Sequence, residues 1–174
     1  MPKTQIVKTL ISRGKLRKKV KELALKISRD YKGKKLVIVG ILKGAMVFMS
    51  DLMRQMKIPV EIDFIQASSY GASQTSSGKI KVKKDIDLPL AGKHVLLVED
   101  IIDCGYTLDY LLGFIKRKRA SSVRICVLLD KPSRRKVPVP LAYKGFEVPD
   151  KFIVGYGLDF AEKYRNLPYV AVLR

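Results

Sequence analysis

Val95-Leu96-Leu97-Val98-Glu99-Asp100-Ile101-Ile102-Asp103-Cys104-Gly105-Tyr106-Thr107-Leu108 opens as an apolar strand, empties into three carboxylates and ends at a glycine-containing helix start. Val95 to Val98 has no polar interruption, the pattern of a strand buried on both faces, and Leu108, Leu111, Leu112 and Ile115 then share one helical face. The same order occurs upstream, where Leu36 to Val39 leads through Gly40 to Gly44 into a helix carrying Met46, Val47, Met49 and Met53. Val60 to Ile65 and Val123 to Leu129 supply further strands, and Leu16, Val20, Leu23, Ala24 and Ile27 form one helical stripe after the candidate cap Ser12. Strands alternating with helices imply an α/β fold: a mostly parallel twisted sheet with helices on both faces. Right-handed crossovers would gather every strand-to-helix turn at one sheet edge, where ligands bind.

Outward from this frame the chain is less regular. Ser68 to Gly78 is a loop by composition, and Ile80, Val82 and Ile86 alternate with lysines as in an exposed ribbon. Pro132, Pro138, Pro140 and Pro149 break up residues 132–150, after which Phe152-Ile153-Val154 and Tyr169-Val170-Ala171-Val172 read as short strands of a flap. The expectation is one domain over 1–174, with 145–174 forming a hood over the site.

A length of 174 residues with 47% hydrophobic and 29% charged side chains excludes disordered and low-complexity classes. The longest apolar run, Leu36 to Leu42, is far short of the roughly 20 residues of a bilayer span, so no membrane role is expected. Lys8 and Arg13 interrupt the N-terminal stretch where a secretory signal would need apolar continuity, which points to the cytoplasm. Cys104 and Cys126 cannot build a disulfide framework, and with His94 as the one histidine no tetrahedral zinc set exists. The net charge is +19, and residues 1–35 carry 13 Lys or Arg against Glu22 and Asp30. Such a balance invites a phosphorylated or polyanionic partner. A solvated basic helix face explains the N-terminal run better than a nucleic-acid surface, because Tyr31 is its one aromatic for base stacking.

Acidic side chains at a strand end need hydroxyls, a cation or solvent, so the pair Glu99 and Asp100 suits a sugar diol or Mg2+. Gly105 permits a bend, and the amides from Cys104 to Thr107 can converge on a phosphate where the helix dipole also favours negative charge. An ordinary acidic helix cap would account for one carboxylate but not for three. No Gly-Lys-Ser/Thr or Gly-x-Gly-x-x-Gly sequence is present in this turn, so neither a Walker A loop nor a dinucleotide fingerprint is at work.

At these residues the sequence resembles the phosphoribosyl-diphosphate motif of type I phosphoribosyltransferases, specifically the bacterial hypoxanthine (guanine) enzymes. Further segments of that family appear in order: Leu42-Lys43-Gly44, Ser69-Tyr70-Gly71, Asp130-Lys131-Pro132, and Val154-Gly155-Tyr156-Gly157-Leu158-Asp159 followed by Arg165. The resemblance implies transfer of 5-phosphoribosyl from phosphoribosyl diphosphate to N9 of hypoxanthine or guanine, giving IMP or GMP and pyrophosphate, in purine salvage. It implies that Glu99 and Asp100 hold the ribose hydroxyls and Mg2+, that Asp103 takes the purine proton, and that Ile101 and Cys104-Gly105-Tyr106-Thr107 surround the 5-phosphate. It further implies that Lys131 donates to the 6-oxo group, and that Phe152 stacks on the purine beside Lys151 and Ile153. Asp159 becomes a second Mg2+ contact and Arg165, with the Lys43-Gly44 turn, meets the leaving pyrophosphate; a cis non-proline peptide often accompanies that turn. Ser69 and Tyr70 become a lid that closes on the phosphates, and the assembly a homodimer or homotetramer. Cys104 stands where the family commonly has threonine, and a thiol donates weakly. Tyr106 stands where a smaller or basic residue is frequent.

A regulatory RNA-binding protein on the same fold, of the pyrimidine-operon attenuator type, is the competing reading, and the +19 charge speaks for it. Lys131 with Phe152 and the 154–159 segment speak for a 6-oxopurine instead, leaving nucleic acid as a non-specific partner of the basic surface.

Overall fold

The computed structural model describes residues 6–69 and 80–174. Burial organises it. Leu36–Ile41 (β2) is buried along its whole length, with Leu36 and Ile38 packing into one apolar cluster and Val37, Val39 and Ile41 into another. The first cluster lies under Arg13–Asp30 (α1) and Ala45–Gln55 (α2); the second lies under Tyr106–Lys116 (α3). The period-2 alternation of a strand thus serves helices on both faces of one sheet. α1 starts where Ser12 accepts a hydrogen bond from the Lys15 amide at 3.4 Å, and its predicted stripe, Leu16, Val20, Leu23, Ala24 and Ile27, is buried.

The main sheet has six strands in the order Ile80–Lys84 (β4), Glu61–Ser69 (β3), β2, His94–Ile102 (β5), Ser122–Asp130 (β6) and Leu141–Glu147 (β7). All neighbours run parallel except β3 and β4. The parallel sheet with helices on both faces agrees with expectation. After β2 the chain builds toward β3, and after β5 toward β6, so the connections diverge between β2 and β5. That divergence opens a crevice at the carboxyl ends of the strands.

Three features differ from the sequence reading. β5 continues through Ile102, so Glu99 and Asp100 lie within the strand rather than past its end, paired through Glu99 with Val127 and Ile101 with Leu129 of β6. Residues 141–147, read as part of an irregular proline-rich stretch, form β7, an edge strand with Tyr143 buried. The second sheet pairs Ile6–Ile11 (β1) with Val170–Leu173 (β9) and β9 with Ile153–Val154 (β8), all antiparallel. The hood is therefore built from both ends of the chain, while residues 145–147 complete the main sheet. No helix among the described residues is long and apolar enough to cross a membrane.

Candidate active site

Three turns meet at the carboxyl edge of β2, β5 and β6, and each carries residues singled out in the sequence. After β5 the chain bends at Gly105, whose φ of +93° suits glycine and which precedes α3 without a side-chain cap. Asp109 donates its amide to the Gly105 carbonyl at 3.0 Å. The amides of Cys104, Gly105, Tyr106 and Thr107 find no acceptor among the described residues. They are the unsatisfied donors of a helix start, and the dipole adds positive potential there. Cys104, Gly105 and Thr107 line a cavity of about 320 Å3 together with Glu99, Ile101 and Asp103. Tyr106 is exposed and is not part of that lining.

The carboxylates are poorly neutralised. Burial, then the neighbouring Asp100 carboxylate, holds Glu99 well above the usual carboxylate range. Burial raises Asp100 as well, against the opposing pull of its hydrogen bond with Glu99, the Ile101 amide at 2.8 Å and the charge of Arg165. Asp103 Oδ1 is buried without a hydrogen bond, although Lys131 Nζ lies 3.5 Å away. Lys131 is buried at the end of β6, its amide donating to the Ile102 carbonyl at 3.0 Å. Acid and lysine, far apart in sequence, thus face one another across the mouth of the two strands.

The turn after β2 closes the other side. The Leu42-Lys43 peptide is cis, one bond before the Lys43-Gly44 turn where the resemblance placed it. A Cβ on Gly44 would collide with the Asp100 carboxylate, so only glycine lets the turn lie flat against that acid. From the hood, Gly157 packs on the Gly44 carbonyl. Arg165 Nη1 donates to the Gly157 carbonyl at 2.8 Å and Nη2 pairs with Asp159 at 2.8 Å. Glu162 ties these groups to the β2 turn through Lys43 at 2.8 Å, and that lysine holds the Glu162 carboxyl below the usual range. Lys43, Gly44, Asp159 and Arg165 are therefore assembled in one place.

Other residues stand apart from this arrangement. Phe152 is 53% exposed and meets Phe160 edge-on, ring centroids 5.5 Å apart. Ile153 is buried in β8, and Lys151 is exposed in the segment before it. Ser69 ends β3 with its backbone opposite Ile80, and Tyr70, with the rest of the expected lid, lies outside the described residues.

Sequence reasoning missed the brace of the turn after β5. Arg135 Nε donates to the Asp103 carbonyl at 2.9 Å while its Nη2 pairs with buried Asp130 at 2.5 Å. The amides of Lys136 and Val137 both donate to the Cys104 carbonyl, at 2.9 and 3.0 Å. Glu162 and Phe160 were missed too. Asp130-Lys131-Pro132 was visible as a segment, but nothing local announces that Arg135 folds back across it.

Oxygen donors of this kind fit Mg2+, which keeps several waters and takes one or two carboxylates plus substrate oxygens rather than a full protein cage. Glu99 and Asp100 qualify because burial leaves them short of positive charge. Asp159 fits less directly, since Arg165 already neutralises it. No cluster of three or more such ligands exists among the described residues.

Residues 8–161 match the family described as the phosphoribosyl transferase domain. The chain is 48% identical over its whole length to the hypoxanthine-guanine phosphoribosyltransferase of Bacillus subtilis, of which it covers 97%. It is 47% identical, over 94% of its length and 93% of the relative, to the hypoxanthine phosphoribosyltransferase of Haemophilus influenzae. A crystal structure of a hypoxanthine-guanine phosphoribosyltransferase from Bacillus anthracis superposes with a TM-score of 0.92 at 50% identity, covering 98% of this chain and 99% of that one. With the acid-rich strand end, the free-amide turn and the glycine-packed crevice in their places, the chain belongs to the phosphoribosyltransferase family, among its hypoxanthine-guanine members.

Proposed function

We propose that the protein transfers the 5-phosphoribosyl group of phosphoribosyl diphosphate to N9 of hypoxanthine or guanine, releasing pyrophosphate and forming IMP or GMP. The observation that carries this reading is the end of β5 with the turn after it, where free amides adjoin Glu99 and Asp100, both short of positive charge, and Asp103, which keeps an oxygen without a hydrogen bond. One turn then holds both ends of a phosphorylated pentose.

In this reading the amides of Cys104 to Thr107 hold the 5-phosphate, with the Cys104 thiol a weak donor and the Thr107 hydroxyl a stronger one. Ile101 and Tyr106 flank that group. Glu99 and Asp100 accept from the ribose hydroxyls and would hold Mg2+, joined by Asp159 once Arg165 is drawn to substrate. When bound, Mg2+ supplies positive charge that stabilises pyrophosphate as it departs. Positive charge develops on the ribose as its bond to pyrophosphate lengthens, and the carboxylates beneath stabilise it. Lys43, the Gly44 backbone and Arg165 receive the negative charge on the other side. As the new bond to N9 forms, the proton at N7 passes to the Asp103 carboxylate, whose unsatisfied Oδ1 is free to take it. Lys131 donates to the 6-oxo group, which adenine lacks, so adenine offers the buried lysine no acceptor and the pocket favours an oxopurine. Phe152, with Phe160, covers the base beside Ile153 and Lys151, and Ser69 and Tyr70 exclude water as a lid.

The same reading carries a homodimer or homotetramer in the cytoplasm, checked by sedimentation and by localisation of a tagged chain. The RNA-binding alternative is not favoured, since the named relatives are enzymes. The decisive test compares initial rates with hypoxanthine, guanine, xanthine and adenine at saturating phosphoribosyl diphosphate and Mg2+. Turnover of an oxopurine with none of adenine supports the assignment and the role of Lys131 together. Equal use of adenine would refute the role, and no turnover of any base would refute the reaction.

A further inference from the structure

The basic surface of α1 is not used by the phosphoribosyl chemistry. Its first turns carry Arg13, Arg17, Lys18 and Lys21, and the first turn holds no acid. Cations at the positive end of a helix dipole are unfavourable where anions would be favourable, so this placement does not serve α1 itself. The four line a cavity of about 810 Å3 between α1, α2 and the 165–168 loop, joined there by Arg54 and Arg165. Among the described residues none of the four forms an ion pair, whereas Lys19, on another side of α1, does so with Glu22 at 3.0 Å. Asp51 is the one acid in the wall, and it is engaged by the Tyr156 hydroxyl at 2.6 Å and lies 3.8 Å from Arg54.

Four cations without an ion pair among the described residues, with Arg54 and the Asp159-paired Arg165 beside them, repel one another across a concave, partly apolar wall, and the field they focus draws in anions. The volume is that of a small-molecule pocket rather than of a single-ion niche. We propose that the cavity between α1, α2 and the hood binds a compact polyphosphate anion, at a site separate from the turn after β5. Arg165 is the one residue it shares with the crevice.

The test is isothermal titration of the full chain with inorganic tripolyphosphate at moderate salt, which reads binding and not turnover and so fails independently of the assigned reaction. Two binding events per chain are expected. The triple variant Arg17→Ala, Lys21→Ala, Arg54→Ala weakens one of them by at least about tenfold, equivalent to one charge-assisted hydrogen bond, while the other event and the turnover stay as in wild type. Adenosine triphosphate in place of tripolyphosphate separates the sources: equal affinity assigns recognition to the phosphate chain alone, and tighter binding assigns it to a nucleotide carrying that chain; either supports the site. A single event untouched by the triple variant overturns the proposal. So does an equal loss in a control that removes the same charge at Lys32, Lys34 and Lys35, which would mean diffuse attraction. A triple variant whose sedimentation changes while its titration does not would mark the face as an interface between copies, and also overturns it.

Discussion

Asp63 on β3 and the acids of β5 are carboxylates withdrawn from water in the same sheet, and their surroundings could hardly differ more. Asp63 accepts from the amides of Phe64, Asp87 and Leu88 at 2.7, 2.8 and 2.9 Å, with Lys84 at 3.4 Å. Burial pushes its pKa up, but these donors outweigh it and hold the group below the usual range. Glu99 and Asp100 have one backbone donor each, the Asp100 amide at 3.3 Å and the Ile101 amide at 2.8 Å, and burial holds both high, while Asp103 keeps an oxygen without a hydrogen bond beside Lys131. A buried acid ringed by amides stitches the 84–88 segment to the sheet, whereas acids with fewer donors keep oxygens open to a ligand. Burial alone does not tell these apart; hydrogen-bond satisfaction does.

The contrast breaks most visibly in turnover. Asp103→Asn is expected to lower kcat by about 10²–10⁴, the range of a removed general base, while product affinity and Tm stay near wild type. Full activity in that variant would end the assignment of Asp103 as base. Asp63→Ala should do the reverse. It leaves three amides short of an acceptor, lowering stability by about 1–3 kcal/mol in chemical unfolding with the rate per folded molecule unchanged.

Glu99→Gln tests the sign of the comparison. Removing a poorly compensated charge should raise stability at pH 8, by roughly 1 kcal/mol, and abolish the rise in Tm that Mg2+ alone gives the wild type. A loss of stability instead would mean that Glu99 is already satisfied. The smallest effect is in pH dependence. Glu99 keeps its proton in the folded chain where the unfolded chain has lost it, so its destabilisation begins above an ordinary glutamate pKa of about 4.3 and grows as pH rises toward the folded value. Asp63 contributes stability above its unfolded pKa, lost as pH falls through its lower folded value. Stability curves of Glu99→Gln and Asp63→Asn against wild type should therefore diverge in opposite directions, the first gap opening with rising pH and the second closing with falling pH.

Much of the crevice was legible because its determinants are contiguous. Leu36–Ile41 and Val95–Val98 declare double-faced burial in a few residues, and Glu99 to Thr107 presents acids, glycine and helix start in one run. β7 was not legible, since an edge strand buries little beyond Tyr143, and Pro138, Pro140 and Pro149 on either side of it, with Gly145 within, mimic a loop. β1 was obscured by Lys8 and Thr9, polar residues that an edge strand of a small sheet tolerates. Arg135 and Glu162 look like surface charges until the chain folds back and seats them on the Asp103 carbonyl and on Lys43.

The sequence by itself determined the α/β class, the strand that feeds the acidic turn and the residues that surround it, because apolar periodicity and turn chemistry act over a few neighbours. Only the tertiary structure decided that the hood joins the two ends of the chain, that Lys131 confronts Asp103, and that Gly44 and Gly157 pack between the acids and the hood. Those contacts pair residues distant along the chain, and their geometry follows from how whole elements pack, which no local pattern encodes.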